Sequence, residues 1–323
     1  MTLTAETTIR PFTASDYQAL ADVNNAVFPD YPQTAAERRE WDEKREPHIK
    51  HGRIVAEEDG RVVGFAQYGQ DAWAYHPRKF GLDANLLPSA QGRGVGRALY
   101  ERLVAEVMRL DPVSLQAGVR EDYVRAHRFL LDRGFEEKMR AWESRLETRA
   151  FDPRPFQGAA EKARRHGVEV LTLRELEGDP ARNRKLWELY TLLNKDVPNV
   201  NEPTDVAFAD FENRMFSDPN LLPDGHFVAV QGGEYVGVSA LWASQASDDL
   251  YNGLTGVRRE NRRQGIALAL KLRGIAYAAE RGAPVIKTWN ASTNRPMLSI
   301  NEALGFVKQP AWITLVKTIA EEA

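Results

Sequence analysis

Three short motifs occur twice in this chain at nearly constant separation, and that constrains the fold more than any single motif does. The segment Glu58 to Gly64 returns as Gly232 to Gly237, with the closing glycines 173 positions apart. The loop Gln91-Gly92-Arg93-Gly94-Val95-Gly96 returns as Arg262-Arg263-Gln264-Gly265-Ile266-Ala267, 171 positions on, and Gly134-Phe135 returns as Gly305-Phe306 at the same 171. Equal offsets at the last two features mean that the segments between them have equal length, which a tandem duplication explains most simply. A chain of 323 residues is long enough for two domains of roughly 150 each. The prolines and glycine of the segment Arg149 to Gly158 read as a connector. The expected domains are therefore 1–150 and 151–323, with a polar helix from Ala159 to Gly167 after the joint.

Both copies read the same way at low resolution. In the first, a strand at Thr8–Pro11 precedes a helix from Ser15 or Asp16 to Val27. A hairpin from Gly52 to Tyr68 turns at Asp59-Gly60. A helix covers Arg97–Met108, a strand Ser114–Gly118 and a helix about Tyr123–Asp132. The second copy predicts a strand Val168–Leu173, a helix Ala181–Asn194 and a hairpin Gly225–Trp242. A strand Leu250–Val257, a helix Ile266–Glu280, a strand Val285–Trp289 and a helix Pro296–Leu304 follow. This mixture of strands and helices indicates two α/β domains, each around a mixed sheet.

Composition excludes several classes. Hydrophobic residues at 43% and charged residues at 28% are ordinary globular values. A net charge of -3 argues against nucleic acid as a partner. With no cysteine, disulfides, thiolate zinc sites and a cysteinyl acyl intermediate are all ruled out. No basic stretch followed by an apolar run opens the chain, and no apolar run has membrane-spanning length, so a cytoplasmic protein without a membrane partner is expected.

The repeated loop carries the chemistry. A glycine-rich turn that opens a helix offers backbone N–H groups and the positive end of the helix dipole to a phosphate. The P-loop pattern needs different spacing and a lysine. The dinucleotide pattern fails because its third glycine falls on Arg97 or Leu99. What fits both loops is [QR]-x-x-G-x-[GA], and in this the chain resembles the GNAT N-acetyltransferase superfamily. The tandem arrangement is similar to that of mycothiol synthases, without a signature that fixes that substrate.

The resemblance implies two GNAT domains and acetyl-CoA as co-substrate, with no metal. It implies cofactor-binding roles for Leu86, Gln91, Gly92, Arg93, Gly94, Val95 and Gly96 in the first copy. In the second it implies them for Val257, Arg262, Arg263, Gln264, Gly265, Ile266 and Ala267, with Asn290 and Asn294 in the later motif. The family tyrosine that protonates the departing thiolate falls on Leu130 and on Asn301. The implied mechanism is direct attack of a neutral amine, with a strand N–H polarising the thioester and a carboxylate or water relay as base.

Asp249 and Asn301 are the candidate catalytic residues, and Asp83 is the analogous carboxylate in the first copy. Asp248, Asp196, Glu202 and Asp205 are further candidates, although solvated surface is the ordinary fate of such carboxylates. Arg258, Arg259, Arg262 and Arg263 are expected to neutralise ligand phosphates. His48 and His51 could share a helix face, without a third metal ligand. The contrast of Asn290 and Asn294 with Arg120 and Tyr123 makes the second copy the expected catalytic half. The acceptor is expected to be a small-molecule or peptide amine, and oligomeric state is not encoded. The alternative is a non-catalytic CoA-binding or regulatory module.

Overall fold

The computed structural model describes residues 7–321; the first six residues of the stretch read for a leader lie outside the described residues. In chain order the first elements are β1 (Thr7–Pro11), α1 (Tyr17–Val27), α2 (Ala35–Glu43), β2 (His51–Glu58), β3 (Arg61–Gly69) and β4 (Lys79–Leu86). They are followed by α3 (Val95–Val107), β5 (Ser114–Arg120), α4 (Val124–Leu131) and β6 (Glu136–Glu147). Then come α5 (Ala159–Arg165), β7 (Val168–Thr172), α6 (Arg182–Asn194), α7 (Phe208–Phe216), β8 (Leu221–Gln231) and β9 (Glu234–Trp242). The chain ends through β10 (Leu250–Val257), α8 (Ile266–Arg281), β11 (Val285–Ala291), α9 (Arg295–Ala303), β12 (Val307–Lys308) and β13 (Trp312–Thr318).

Two compact units result. The first takes in the chain up to Met139, the short segment Gln245–Ser247 and everything from Trp312; the second takes in Arg140–Ser244 and Asp248–Ala311. The first unit's sheet has the order β1-β2-β3-β4-β5-β13, antiparallel except for β4 with β5. The second repeats this as β7-β8-β9-β10-β11-β6, with β10 and β11 parallel and β12 added to β6.

These units cut the chain at Met139 and Ala311 rather than at a single joint near residue 150. In each repeat the Phe of the Gly-Phe pair stays in its own core, Phe135 at 2% exposure and Phe306 at 6%, while the strand that follows completes the other unit's sheet. β13 pairs with β5 over seven residues from Trp312↔Arg120 to Thr318↔Ser114, and this buries Ile313 and Leu315 in the first unit's core.

Each sheet is covered on both faces. In the first unit Leu99, Leu103 and Val107 of α3 pack on Ile54, Phe80 and Leu115, while Leu20 and Val23 of α1 pack on Val55 and Phe65 from the other side. In the second, Ile266, Ala269 and Leu270 of α8 meet Phe227, Ala229 and Val236. There α6 and α7 cover the opposite face with Leu186, Leu189, Phe211 and Met215 against Val228 and Val238.

The parallel pair in each unit is incomplete. Between β4 and β5 the ladder runs from Lys79↔Ser114 to Leu82↔Ala117, and between β10 and β11 from Leu250↔Ile286 to Asn252↔Thr288. Past those rungs the strands carry no mutual pairing, so each sheet opens toward the C-terminal ends of its central strands.

The repeated glycine of the hairpin has a steric cause. A Cβ on Gly64 would lie 2.8 Å from the Asn85 carbonyl oxygen and collide with Leu86 Cδ1. A Cβ on Gly237 would lie 3.1 Å from the oxygen of Gly256, which occupies the matching position. Because backbone cannot yield as a side chain can, Gly64→Ala is expected to cost about 1–3 kcal/mol of stability. A fall in thermal midpoint checks it; an unchanged midpoint would show that β4 tolerates the displacement.

Candidate active site

The two glycine loops are built identically. Each strand hands over to a 3₁₀ turn, Pro88–Ala90 or Arg259–Asn261. The Leu87 and Arg258 N–H groups bond back to the carbonyls of Val63 and Val236, both at 2.8 Å. The structure then explains why the motif begins with Gln or Arg. Gln91 Nε2 donates to the Leu86 carbonyl at 3.1 Å, and Arg262 Nε donates to the Val257 carbonyl at the same 3.1 Å. Either side chain supplies the N–H that ties the loop to the strand end.

Gly94 and Gly265 both N-cap their helices with left-handed backbone, φ 94° and 83°. The first intrahelical bonds run from Ala98 N–H to Gly94 O at 3.1 Å and from Ala269 N–H to Gly265 O at 3.0 Å. The N–H groups of Val95, Gly96 and Arg97, and of Ile266, Ala267 and Leu268, lie ahead of these bonds, where a helix has no internal partner for them. Two positions before the cap the copies differ. Gly92 takes φ 81° freely, whereas Arg263 is forced to φ 65°, a conformation that favours glycine.

Charge around the loops also differs. In the first unit the Arg125 guanidinium overhangs the loop, its Nη2 only 3.3 Å from where a Cβ on Gly92 would stand, and Arg93 pairs with Glu58. In the second, the Lys162 stem from α5 packs 3.2 Å from the Cβ position of Gly265. The four arginines of the second copy are partly committed: Arg258 Nε donates to the Tyr235 carbonyl at 2.9 Å. Arg259 and Arg262 both close on Asp196, Arg259 through Nε at 3.0 Å, and hold that carboxyl below the usual carboxylate range.

The candidate carboxylates separate sharply. Asp249 forms a 2.7 Å ion pair with Lys287, itself only 3% exposed, so its charge balances a buried ammonium. Asn301 is 1% exposed and donates to Asn290 Oδ1 at 2.7 Å, while its own Oδ1 is buried without a partner among the described residues. Asn294 caps α9 by accepting the Met297 N–H at 3.4 Å. Its matching residue Tyr123 precedes α4 and donates to the Val27 carbonyl at 2.7 Å. Asn290 matches Val119 rather than Arg120 at the 171 offset, so that contrast between the copies loses one of its members. Asp205 pairs with Lys195 at 3.2 Å. His51 opens β2, so His48 and His51 share no helix; His48 stands edge-on to Tyr75 instead.

Asp83 is different. It lies on β4 one residue past the last rung shared with β5. It is exposed, yet protein surrounds it closely enough for burial to push its carboxyl above the ordinary aspartate value, partly offset by Arg38 and by a bond from Gln67. Gln67 Nε2 donates to Asp83 Oδ2 at 3.1 Å, and Gln67 in turn accepts from Arg53 Nε at 2.8 Å. Across the opened ladder, a Cβ on Gly118 would meet nothing within 4 Å. A carboxylate beside the open space at Gly118, on the strand that feeds the loop, is placed for proton transfer.

The position matching Asp83 in the second copy is Leu254. There the interior instead holds Lys271, 3% exposed, whose Nζ donates to Asn252 Oδ1 at 2.6 Å and whose pKa burial lowers to about 7.

The strongest missed signals are local ones. Thr34 and Glu37 form a reciprocal capping box, with bonds of 3.0 and 2.8 Å, at the start of α2, a helix whose mostly charged sequence hides it from apolar periodicity. β4 is weakly marked because Gly81, Asp83 and Asn85, all poor strand formers, stand between Phe80, Leu82, Ala84 and Leu86.

Two copies of one strand, glycine turn and helix, each opening beside a split parallel pair, define a tandem acyl-CoA-type transferase fold. The chain matches the acetyltransferase (GNAT) family over residues 17–135 and again over 186–306, and it belongs to that family. It is 25% identical over 266 residues to a mycothiol acetyltransferase of Streptomyces bingchenggensis, covering 81% of this chain and 79% of that one. It is 26% identical over 271 residues to a mycothiol acetyltransferase of Thermobifida fusca, covering 79% of each. A tandem GNAT protein from the clavulanic acid biosynthesis pathway shares the fold with a TM-score of 0.76 at 19% identity, over 98% of this chain and all of that one. Among the described residues no cluster of His, Cys, Asp or Glu suits a metal ion, and no helix is long and apolar enough to cross a membrane.

Proposed function

We propose that the chain transfers acetyl from acetyl-CoA to a primary amine by direct attack, and that the first unit carries the chemistry. The observation that carries this assignment is Asp83, an accessible carboxylate in no ion pair among the described residues, one residue past the β4–β5 ladder on the strand that leads into the Gln91 to Gly96 loop. It reverses the expectation from the later motif that the second copy is catalytic. In that copy Asp249 and Asp196 are both held in ion pairs, and Asn301 is sealed.

The donor set suits the co-substrate. The N–H groups of Val95, Gly96 and Arg97 and the overhanging Arg125 would hold its pyrophosphate, and a Cβ-free Gly96 leaves open space at the turn. Acetyl-CoA supplies an activated thioester acyl group. The chain's own part is to polarise the acyl carbonyl from an N–H of the unpaired end of β4, to orient the amine and to take its proton on Asp83. The raised pKa of Asp83 makes it a stronger base once ionised. With Leu130 where the family places an acid, departure relies on a thiolate being a better leaving group than the amine that attacks.

The curated relatives are mycothiol acetyltransferases, and at about a quarter identity they support the acyl donor more than the acceptor. Thiol release from acetyl-CoA across a panel of primary amines tests the proposal. Saturable release with at least one amine is expected. Saturable CoA binding with no release from any amine would instead assign a CoA-binding regulatory module.

A further inference from the structure

On the face of the first sheet covered by α1, Arg38 has no paired carboxylate among the described residues. Arg38 of α2 is only 7% exposed, and its guanidinium lies 5.1 Å from the centroid of the Phe65 ring. Its Nε is buried without a hydrogen-bond partner among the described residues. Asp83 apart, the neighbouring charges on this face are matched. Asp42 accepts from Arg53 at 2.8 Å, from Arg45 at 3.1 Å and from the Tyr17 hydroxyl at 2.8 Å. Arg120 is bonded to Asp122 at 2.6 Å.

Arg38 feels Asp83 but forms no ion pair with it. A guanidinium removed from water and left without a carboxylate costs free energy that the protein alone does not recover. Side-chain alternation places Phe65, Gln67, Asp83 and Asn85 on this same face, and Gly118 leaves space open there.

We propose that Arg38 is the anchor for a carboxylate on the acceptor, so that the acceptor class is a carboxylate-bearing primary amine, an α-amino acid or close analogue. This rests on the assignment of the chemistry to the first unit. Arg38 and Asp83 lie on one face of the sheet, close enough for their charges to interact, and that pair of one positive and one negative group complements a zwitterion; a phosphate dianion would leave excess negative charge beside Asp83. The planar fork of guanidinium matches a carboxylate in two hydrogen bonds.

The test compares α-amino acids with their α-carboxamides in thiol release from acetyl-CoA, with kcat/KM taken from full pH profiles and compared at the plateaus where both amines are neutral. The native chain is expected to prefer the acids by roughly 10- to 100-fold. Arg38→Met should bring the acid-to-amide ratio toward one, chiefly by raising KM for acids, and Arg38→Lys should recover part of it. Equal efficiency for acids and amides with the native chain would overturn the anchor while leaving acetyl transfer intact. Absence of thiol release with every acceptor would overturn the transferase reading and the anchor together. The native-chain comparison decides even where Arg38→Met fails to fold.

Discussion

Asp83→Asn is expected to lower kcat/KM for acetyl transfer by roughly a hundredfold or more, the usual contribution of a positioned general base. Asparagine keeps the shape and can still accept a bond from Gln67, now 3.1 Å from Asp83 Oδ2, so folding should be preserved. Stability should hold, because Asp83 is exposed and in no ion pair among the described residues. The pH profile separates a base from a merely structural group. Asp83 must be deprotonated to act, so native kcat/KM should climb with pH through a carboxyl pKa raised above the ordinary aspartate value. The residual activity of Asp83→Asn should lose that limb and keep only the rise due to the amine. Asp249→Asn should show no comparable loss of turnover, because that carboxylate is bound to Lys287 at 2.7 Å. An Asp83→Asn chain with native kcat/KM would remove Asp83 from the mechanism.

Gly94→Glu should abolish detectable CoA binding by the first unit, a loss of roughly a hundredfold or more in affinity. Three effects combine. The backbone φ of 94° is unfavourable for any residue with a Cβ. A carboxylate at a helix N-terminus would also occupy the N–H groups offered to phosphate, and its charge would repel the ligand. Calorimetric titration with CoA reads this directly. Gly265→Glu should disturb only the second loop, where the Asp196 carboxylate already holds Arg259 and Arg262. Retained native affinity in Gly94→Glu would show that the first loop is not the principal CoA site.

Much of the architecture is legible in the sequence because its causes are local. A glycine required at φ 83–94°, a Gln or Arg required to donate five residues back, and a glycine required beside a neighbouring carbonyl each leave a fixed mark. Repetition of those marks at 171 residues is enough to identify two related units from residue order alone. The exchange of β6 and β13 is not legible, because either strand has the pattern to complete either sheet and the choice of partner is made in three dimensions. The catalytic half is hidden for the same reason. Asp249, Asp196 and Asp83 are equivalent as sequence, and they differ only in what lies opposite: a buried lysine, two arginines, or open space. Arg38 sits in the run Glu37-Arg38-Arg39-Glu40, which reads as a solvated helix face, yet it is buried.

Whether acetyl transfer belongs to the first unit is decided most directly by steady-state thiol release from acetyl-CoA with Gly94→Glu and Gly265→Glu side by side, using one acceptor that the native chain acetylates. Gly94→Glu is expected to be silent, and Gly265→Glu is expected to turn over at close to the native rate. Turnover by Gly94→Glu with silence from Gly265→Glu would place the chemistry in the second unit and contradict the assignment to Asp83 and its loop.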